Sequence, residues 1–190
     1  MFLNRSTKKS DEELMLLIRQ GEERALTQLY ERYSKPMVRY FFRMLWNDAD
    51  KAQDFLQDLF VKIIEKPQYF DRTKKFSTWI YSVAHNMCKN EYRKKTFHDA
   101  VNGTLIQPHI LENTIHEEID RKEFVRVLEV AMKQWTEEDR SLFVCRHELE
   151  MTFAEIAAIL DCPEGTVKSR WFYLRKGMAE KFHEFKSVLK

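Results

Sequence analysis

The sequence predicts an all-α protein, built from two small helical domains that a flexible acidic linker joins. Its 190 residues include only four glycines and four prolines, whereas all-β folds need many turns rich in these residues. Apolar residues recur at three- and four-residue spacing through most of the chain, as in amphipathic helices. Neither of the glycine-rich motifs that cradle phosphates in nucleotide-binding α/β folds occurs.

The first domain is predicted over residues 10–95, after a basic tail over 1–9. Ser10 followed by three acidic residues is typical of a helix N-terminus. Pro36 is expected to bend or split the second helix and Pro67 to end the third, because proline lacks the amide proton that a helix interior needs. The predicted helices run from Ser10 to Gly21, over about 22–46, from the cap Asn47-Asp48 to about Lys66, and from the cap Ser77 to about Lys95.

An irregular linker is predicted over 96–119, where the apolar periodicity stops and glycine, proline and asparagine appear. The segment contains four acidic residues and no Lys or Arg, so its net charge is −4. Helical spacing resumes in the second domain, which is predicted over 120–190. The helices expected there cover about 120–134, 137–148, 153–161 and 166–186.

A helix-turn-helix pattern lies within the second domain. Two helices with apolar faces flank the turn DCPEG, and the small Ala157 lies where they would cross. Asp161 stands where the turn usually has glycine, and Asp tolerates a left-handed backbone. A polar, basic second helix suits a DNA major groove, and the alternative is an ordinary helical hairpin with a solvated face. Its outward residues are Lys168, Ser169, Arg170, Tyr173 and Arg175.

A second cationic region spans 67–95, and its net charge over 71–95 is +5. Aromatic and cationic side chains alternate there, which suits single-stranded nucleic acid, because rings stack on unpaired bases while cations follow the backbone. The alternative is a set of core aromatic residues beside a solvated basic face. The candidates are Tyr69, Phe70, Arg72, Lys74 and Lys75 in a loop, and Trp79, His85, Asn86, Lys89 and Arg93 on or beside the polar stripe of the fourth helix.

The third helix has an acidic stripe opposite its apolar face. Asp54, Gln57, Asp58 and Val61 follow each other at helical spacing on this stripe. Carboxylates around an exposed apolar side chain suit docking on a basic partner helix. The alternative is plain solvated surface.

Together these motifs resemble the sigma-70 family of bacterial transcription initiation factors, in its extracytoplasmic function (ECF) class. DADKAQDFLQDLFVKII (48–64) resembles the helix that docks on the clamp helices of core RNA polymerase. FSTWIYSVAHNMCKNEYRKK (76–95) resembles the helix that recognises and melts the −10 promoter element. EIAAILDCPEGTVKSRWFYLRKGM (155–178) resembles the region that reads the −35 element.

The resemblance implies a role for each candidate residue. Core polymerase would be contacted from the acidic stripe, by Asp54, Gln57, Asp58 and Val61. The −10 DNA would be faced by Trp79, His85, Asn86, Lys89 and Arg93, while the loop around Tyr69–Lys75 would hold a flipped base of the melted non-template strand. The −35 duplex would be met by Thr166, Lys168, Ser169 and Arg170.

The resemblance also implies an architecture and partners. Residues 10–95 would form a region 2-like domain and 120–190 a region 4-like domain, while the linker would thread towards the active centre and RNA exit path of the polymerase. Many members of this family are held by an anti-sigma factor, so such a partner is expected here.

Two other classes of function explain less of the sequence. A helix-turn-helix regulator with an N-terminal sensor domain would bind as a dimer to a palindromic operator, but it leaves the acidic stripe unexplained. An enzyme is disfavoured because the six histidines show no metal-ligand spacing, apart from the isolated pair Cys145 and His147. Neither the H-E-x-x-H nor the G-x-S-x-G motif occurs. No catalytic residue, cofactor or metal is therefore expected.

The expected location is the cytoplasm. The three cysteines are far apart in the sequence, which is typical of free thiols in a reducing compartment. The N-terminal stretch lacks the apolar core of a signal peptide, and no apolar run is long enough for membrane insertion.

Overall fold

The computed structural model of the chain describes residues 9–102, 128, 131–132 and 134–188. Within these residues the regular elements are helical and no strand occurs, which confirms the all-α prediction. The chain divides into two compact units, Met1–Met87 and Cys88–Lys190. The division falls inside one long helix and not in the segment 96–119 where the linker is predicted.

The first unit begins with three helices whose boundaries lie close to the predicted ones. Ser10 accepts the amide of Glu13 and the Glu13 carboxylate accepts the amide of Ser10, a capping box that confirms the predicted start. Asp48 caps the third helix by accepting the amide of Lys51. The helices are α1 (Asp11–Arg19), α2 (Glu23–Met44) and α3 (Ala49–Glu65), and a 3₁₀ turn follows at Pro67–Tyr69.

Pro36 does not split α2. The helix is continuous on both sides of the proline, so that part of the prediction is wrong. The physical reason is burial, since proline removes one backbone hydrogen bond while the apolar face on either side gains far more by packing. The buried residues of this face are Ala25, Leu29, Met37, Tyr40, Phe41 and Met44.

The next helix, α4 (Phe76–Asn102), differs from its prediction at both ends. It starts at Phe76 and not behind a Ser77 cap, because the Lys75 carbonyl already accepts the first helical amide, that of Trp79, at 3.1 Å. It continues beyond Lys95 because no glycine or proline interrupts the sequence before Gly103. Residues 96–102 are therefore helical and not irregular as predicted, while 103–119 lie outside the described residues.

The second unit contains the C-terminal part of α4 and the helices α5 (Glu137–Phe143), α6 (Phe153–Leu160) and α7 (Glu164–Val188), with a π-helical turn at Val144–Glu148 between α5 and α6. The helix predicted over 120–134 falls mostly outside the described residues. Arg140 is buried in this unit and donates to the Tyr92 hydroxyl and the Met132 carbonyl, both at 2.5 Å. Burial lowers the pKa of its guanidinium.

Candidate nucleic-acid and protein interfaces

The turn between α6 and α7 sets the direction of α7. Thr152 caps α6 in a capping box with Glu155. Asp161 ends α6 with φ 52°, so the left-handed conformation expected of this residue is confirmed. The amide of Cys162 then returns to the Ala157 carbonyl at 3.1 Å. The sequence thus builds a tight turn without the usual glycine.

One face of α7 packs on α5 and α6 of the second unit, and the opposite face is exposed. Val167 and Leu174 are buried. The exposed candidates, which we call the α7 face, are Lys168, Ser169, Tyr173 and Arg175. Phe172 is also exposed, next to Tyr173, and the two rings lie 5.5 Å apart. The sequence reasoning did not select Phe172, although its position four residues after Lys168 was a signal for the same face.

The two remaining −35 candidates, Thr166 and Arg170, are less accessible. Thr166 is half-buried, and its carbonyl accepts the Ser169 hydroxyl at 3.0 Å. Arg170 is also half-buried, because its guanidinium reaches across to α5 and donates to the Glu138 carboxylate at 2.5 Å. The hydrogen bond from Arg170 lowers the pKa of Glu138, and the same bond raises the pKa of Arg170. Lys168 pairs along its own helix with Glu164 at 2.7 Å.

Glu138 also holds a cation of α4. The Lys89 Nζ atom lies 3.6 Å from the second carboxylate oxygen of Glu138. Lys89 and Arg170, predicted for two different DNA elements, therefore share one carboxylate within the second unit. Each of them would have to exchange this partner for a phosphate or a base.

The loop between the 3₁₀ turn and α4 is held in a turn by hydrogen bonds to Asp71. The Asp71 carboxylate accepts both the amide and the hydroxyl of Thr73, at 3.0 and 2.8 Å, and its carbonyl accepts the amide of Lys74 at 3.0 Å. The side chains of residues 71–75 are all exposed, and we call this segment the 71–75 loop. Its cations are Arg72, Lys74 and Lys75.

Two aromatic candidates near this loop have different environments. Tyr69 is 66% exposed, with the ammonium of Lys66 at 5.7 Å from its ring centroid. Phe70 is only 3% exposed, so the structure does not present its ring on the surface. Its ring packs edge-on against Phe76 and Trp79 at 5.6 and 5.4 Å, and this packing anchors the loop.

The polar stripe of α4 is rotated from its predicted position. His85 is 2% exposed, so its assignment to the exposed stripe is wrong. Helical spacing predicts an apolar stripe on α4 of Phe76, Ile80, Val83, Ala84 and Met87. The residues of α4 that the structure buries are instead Phe76, Ile80, Tyr81, Ala84, His85 and Cys88. Among the remaining candidates on α4, Asn86 and Arg93 are exposed, while Trp79 and Lys89 are half-buried.

The acidic stripe of α3 is exposed as expected. The side chains of Asp54, Gln57 and Asp58 are in solvent, and Val61 is 47% exposed. Ile64, one helical turn further, is 49% exposed and enlarges the apolar part of this surface. Its i+3 spacing from Val61 was the signal that sequence reasoning passed over.

Three other properties can be read from the described part of the chain: metal binding, thiol reactivity and membrane insertion. Within it, no group of three or more His, Cys, Asp or Glu side chains is placed to hold a metal ion. Cys88 and Cys145 are buried free thiols, and burial raises the pKa of Cys145 to about 12, which makes it a poor nucleophile at neutral pH. Among the helices that are described, none has an apolar stretch long enough to span a bilayer.

Two family models match the chain in the order of its units. Residues 29–98 match Sigma-70 region 2, and residues 126–175 match Sigma-70 region 4. The chain belongs to the sigma-70 family. Together the two models cover α3, the 71–75 loop and most of the helix-turn-helix. Members of this family are transcription initiation factors and not enzymes.

Several curated relatives carry the name of the ECF class. The chain is 27% identical to the ECF RNA polymerase sigma-E factor of Escherichia coli, over 93% of this chain and 96% of that protein. It is also 27% identical to the ECF RNA polymerase sigma factor SigW of Bacillus subtilis, over 80% and 86%. The RNA polymerase sigma-H factor of Pseudomonas aeruginosa matches at 27% identity, over 90% and 93%. The chain is therefore an ECF sigma factor.

Solved structures share the fold at lower sequence identity. CnrH, solved in complex with the cytosolic domain of CnrY, superposes with a TM-score of 0.69 at 19% identity, covering 93% of this chain and 99% of that one. The sigma factor RpoE of Bartonella quintana, solved with the anti-sigma factor NepR, gives 0.67 at 20% identity, covering 83% and 96%. These two likenesses support the helical architecture.

Proposed function

We propose that this sigma factor binds core RNA polymerase, directs it to promoters with −35 and −10 elements, and helps melt the −10 element. The observation that carries the proposal is the pair of separate exposed cationic surfaces, the 71–75 loop and the α7 face, in the two family-matched regions. No single duplex-binding module needs the first of these surfaces.

The acidic stripe of α3 is the proposed polymerase contact. Asp54, Gln57 and Asp58 supply negative and polar groups around the exposed Val61. Such a surface fits a basic helix of the partner, because the charges attract and the apolar centre removes water.

The 71–75 loop with Tyr69 is the proposed −10 surface. The cations would follow the strand, and the exposed Tyr69 ring can stack on an unpaired base, a contact worth about 1–3 kcal/mol. Extrusion of a base costs a few kcal/mol, so one such contact offsets a large part of that cost. Trp79 and Asn86 on α4 would extend this surface, and Lys89 and Arg93 further along the helix are proposed as additional −10 contacts.

The α7 face is the proposed −35 surface. Lys168, Ser169, Tyr173 and Arg175 lie on the helix that follows the turn, where a recognition helix enters a major groove. Thr166 and Arg170 would assist from their half-buried positions at the edge of this face. Base contacts from this helix would set the promoter sequence, and phosphate contacts would set its orientation.

Neither surface is large, so we expect weak and salt-sensitive DNA binding by the chain alone. Polymerase would hold both surfaces at the promoter spacing, which raises the effective concentration of the second contact once the first has formed. The complexes named for CnrH with CnrY and for RpoE with NepR support an anti-sigma partner for this chain as well. As a partner of RNA polymerase, the chain is proposed to act in the cytoplasm.

In vitro transcription tests the proposal. The purified chain and sigma-free core polymerase are incubated with a promoter library, and the start sites are sequenced. We expect defined start sites with the wild type and their loss with Asp58→Arg, while Glu31→Arg, an exposed charge reversal on α2, retains them. Start sites that do not depend on the added chain would contradict the proposal, and binding of a palindrome without polymerase would favour a conventional helix-turn-helix regulator.

A further inference from the structure

The first turn of α1 contains three acidic residues, and each makes a different contact. Asp11 accepts hydrogen bonds from Arg32 and Tyr33 on α2. Glu13 completes the capping box of its own helix. Glu12 accepts the backbone amide of Phe76, at 2.9 Å, although Phe76 is 64 residues further along the chain. The sequence pattern accounts for the first turn only as a helix start, so the contact of Glu12 is additional.

Phe76 is the first residue of α4, where a backbone amide has no acceptor within its own helix. The residue before it, Lys75, has no side-chain oxygen with which to cap the helix. The Glu12 carboxylate therefore supplies from α1 the acceptor that the local sequence lacks. Its negative charge also suits the positive end of the α4 dipole. The hydrogen bond from Phe76 lowers the pKa of Glu12, in agreement with this geometry.

The contact lies at one end of the 71–75 loop. The loop is fixed between two buried rings, Phe70 and Phe76, which pack edge-on at 5.6 Å. Phe76 also packs against Tyr33 of α2 at 5.2 Å. On the other side of the loop, α1 packs against the 3₁₀ turn Pro67–Tyr69. Helix α1 thus contacts the segments before and after the loop, while the cations between them remain exposed.

We infer that Glu12 is a positioning residue for the 71–75 loop: its carboxylate fixes the first turn of α4 and thereby the place from which Arg72, Lys74 and Lys75 meet DNA. Glu12 itself does not touch DNA in this inference. The inference rests on the proposed −10 function of the loop, but the contact between Glu12 and Phe76 can be tested separately.

The first experiment measures the contact in the full-length chain. Amide hydrogen exchange by NMR is compared for wild type, Glu12→Ala, Glu12→Gln and Glu13→Ala. We expect the Phe76 amide to exchange about tenfold faster or more in Glu12→Ala, since a hydrogen bond to a charged group is lost. Glu12→Gln keeps an acceptor oxygen and should recover part of the protection. Glu13→Ala weakens α1 to a similar extent and should leave Phe76 protected.

The second experiment measures the effect on the loop. Two DNA pools are first selected on wild-type holoenzyme. One contains single-stranded fragments, and the other contains duplex fragments bound through the α7 face. Holoenzyme made with each variant is then titrated with both pools. We expect Glu12→Ala to weaken single-strand binding several-fold, with recovery by Glu12→Gln and no change for the duplex pool. Trypsin should also cleave Glu12→Ala faster than wild type at Arg72, Lys74 and Lys75, while cleavage at other sites keeps its wild-type rate.

Unchanged exchange of Phe76 in Glu12→Ala would overturn the inference at the level of the contact. Faster exchange with equal losses in both DNA pools would overturn it too, because Glu12 would then only stabilise the fold. If wild-type holoenzyme selects no single-stranded fragments, the proposed −10 function fails and the DNA role of Glu12 fails with it. In that case the exchange data still report whether the cap exists.

Discussion

The two candidate DNA surfaces differ in how their cations are held. On the 71–75 loop the backbone is fixed by Asp71, Phe70 and Phe76, while the cationic side chains extend into solvent. On and beside the α7 face, Lys168 pairs with Glu164 and Arg170 pairs with Glu138. Backbone contacts thus fix the loop surface, and two charge pairs hold cations on and beside the α7 face. We therefore expect Lys168 and Arg170 to exchange their carboxylate partners for DNA groups on binding.

Removal of the ring that anchors the loop should have the greatest consequence. Phe76→Ala removes a fully buried ring that contacts Tyr33, Phe70 and Trp79. We expect the free energy of unfolding to fall by about 3–5 kcal/mol, because both burial and packing are lost. Urea denaturation measures this change. Phe97→Ala, at a ring that is 73% exposed, is the matched control and should change stability little. Similar losses for the two variants would contradict the anchoring role.

Neutralising Glu138 tests whether charge pairs restrain the helix surface. Glu138→Gln releases Arg170 and Lys89 from their shared carboxylate. We expect the free chain to bind duplex DNA several-fold more tightly, with a log–log salt slope that is steeper by up to about 0.9 for each additional phosphate neutralised. Fluorescence anisotropy over a salt series measures both. Glu137→Gln, the neighbouring acid, is the control, and equal effects of the two variants would show that only net charge matters.

Acidification should remove the contribution of the Glu138–Arg170 pair to the stability of the fold. The folded-state pKa of Glu138 is lowered by its hydrogen bond from Arg170, below the ordinary value of 4.5. Its stabilising contribution is therefore present above that value and is lost as the pH falls through the lowered pKa. We expect wild type to be more stable than Glu138→Gln at pH 7, with the difference shrinking below about pH 4.5. A difference that stays constant down to pH 3 would mean that the pair contributes no pH-dependent stability.

The mildest change is expected at the turn that orients α7. Asp161 has φ 52°, a conformation that costs other L-residues about 1–2 kcal/mol. Asp161→Gly should raise the free energy of unfolding by up to about 1 kcal/mol, and Asp161→Val should lower it. The control is Ala158→Gly on the exposed side of α6, where glycine should cost about 1 kcal/mol. Thermal unfolding of the three variants provides the measurement.

Sequence patterns predicted most of the local structure. The caps at Ser10 and Asp48 and the left-handed Asp161 were all predicted, because each depends on a few neighbouring residues. The acidic stripe of α3 was predicted as exposed for the same reason, since helical periodicity alone separates its two faces. The continuity of α2 through Pro36 was missed, because the packing that holds it comes from other helices.

The candidate sites were predicted only in part. Phe70 and His85 have aromatic or polar side chains typical of a DNA surface, yet the structure buries both. A helical wheel assigns faces from apolar residues alone, so it could not tell that Tyr81 and His85 replace Val83 and Met87 on the buried side of α4. Phe172 and Ile64 were missed for the opposite reason, as apolar residues that the fold leaves exposed.

The helical class, the two functional regions and the family all follow from the order of residues, because periodicity, caps and motif spacing are properties of neighbours in the chain. Packing between distant helices instead sets which charges act together. The pairing of Glu138 with Arg170 and the capping of Phe76 by Glu12 join residues 32 and 64 positions apart. No local pattern encodes such contacts, since they form only when the folded chain brings these groups to hydrogen-bonding distance.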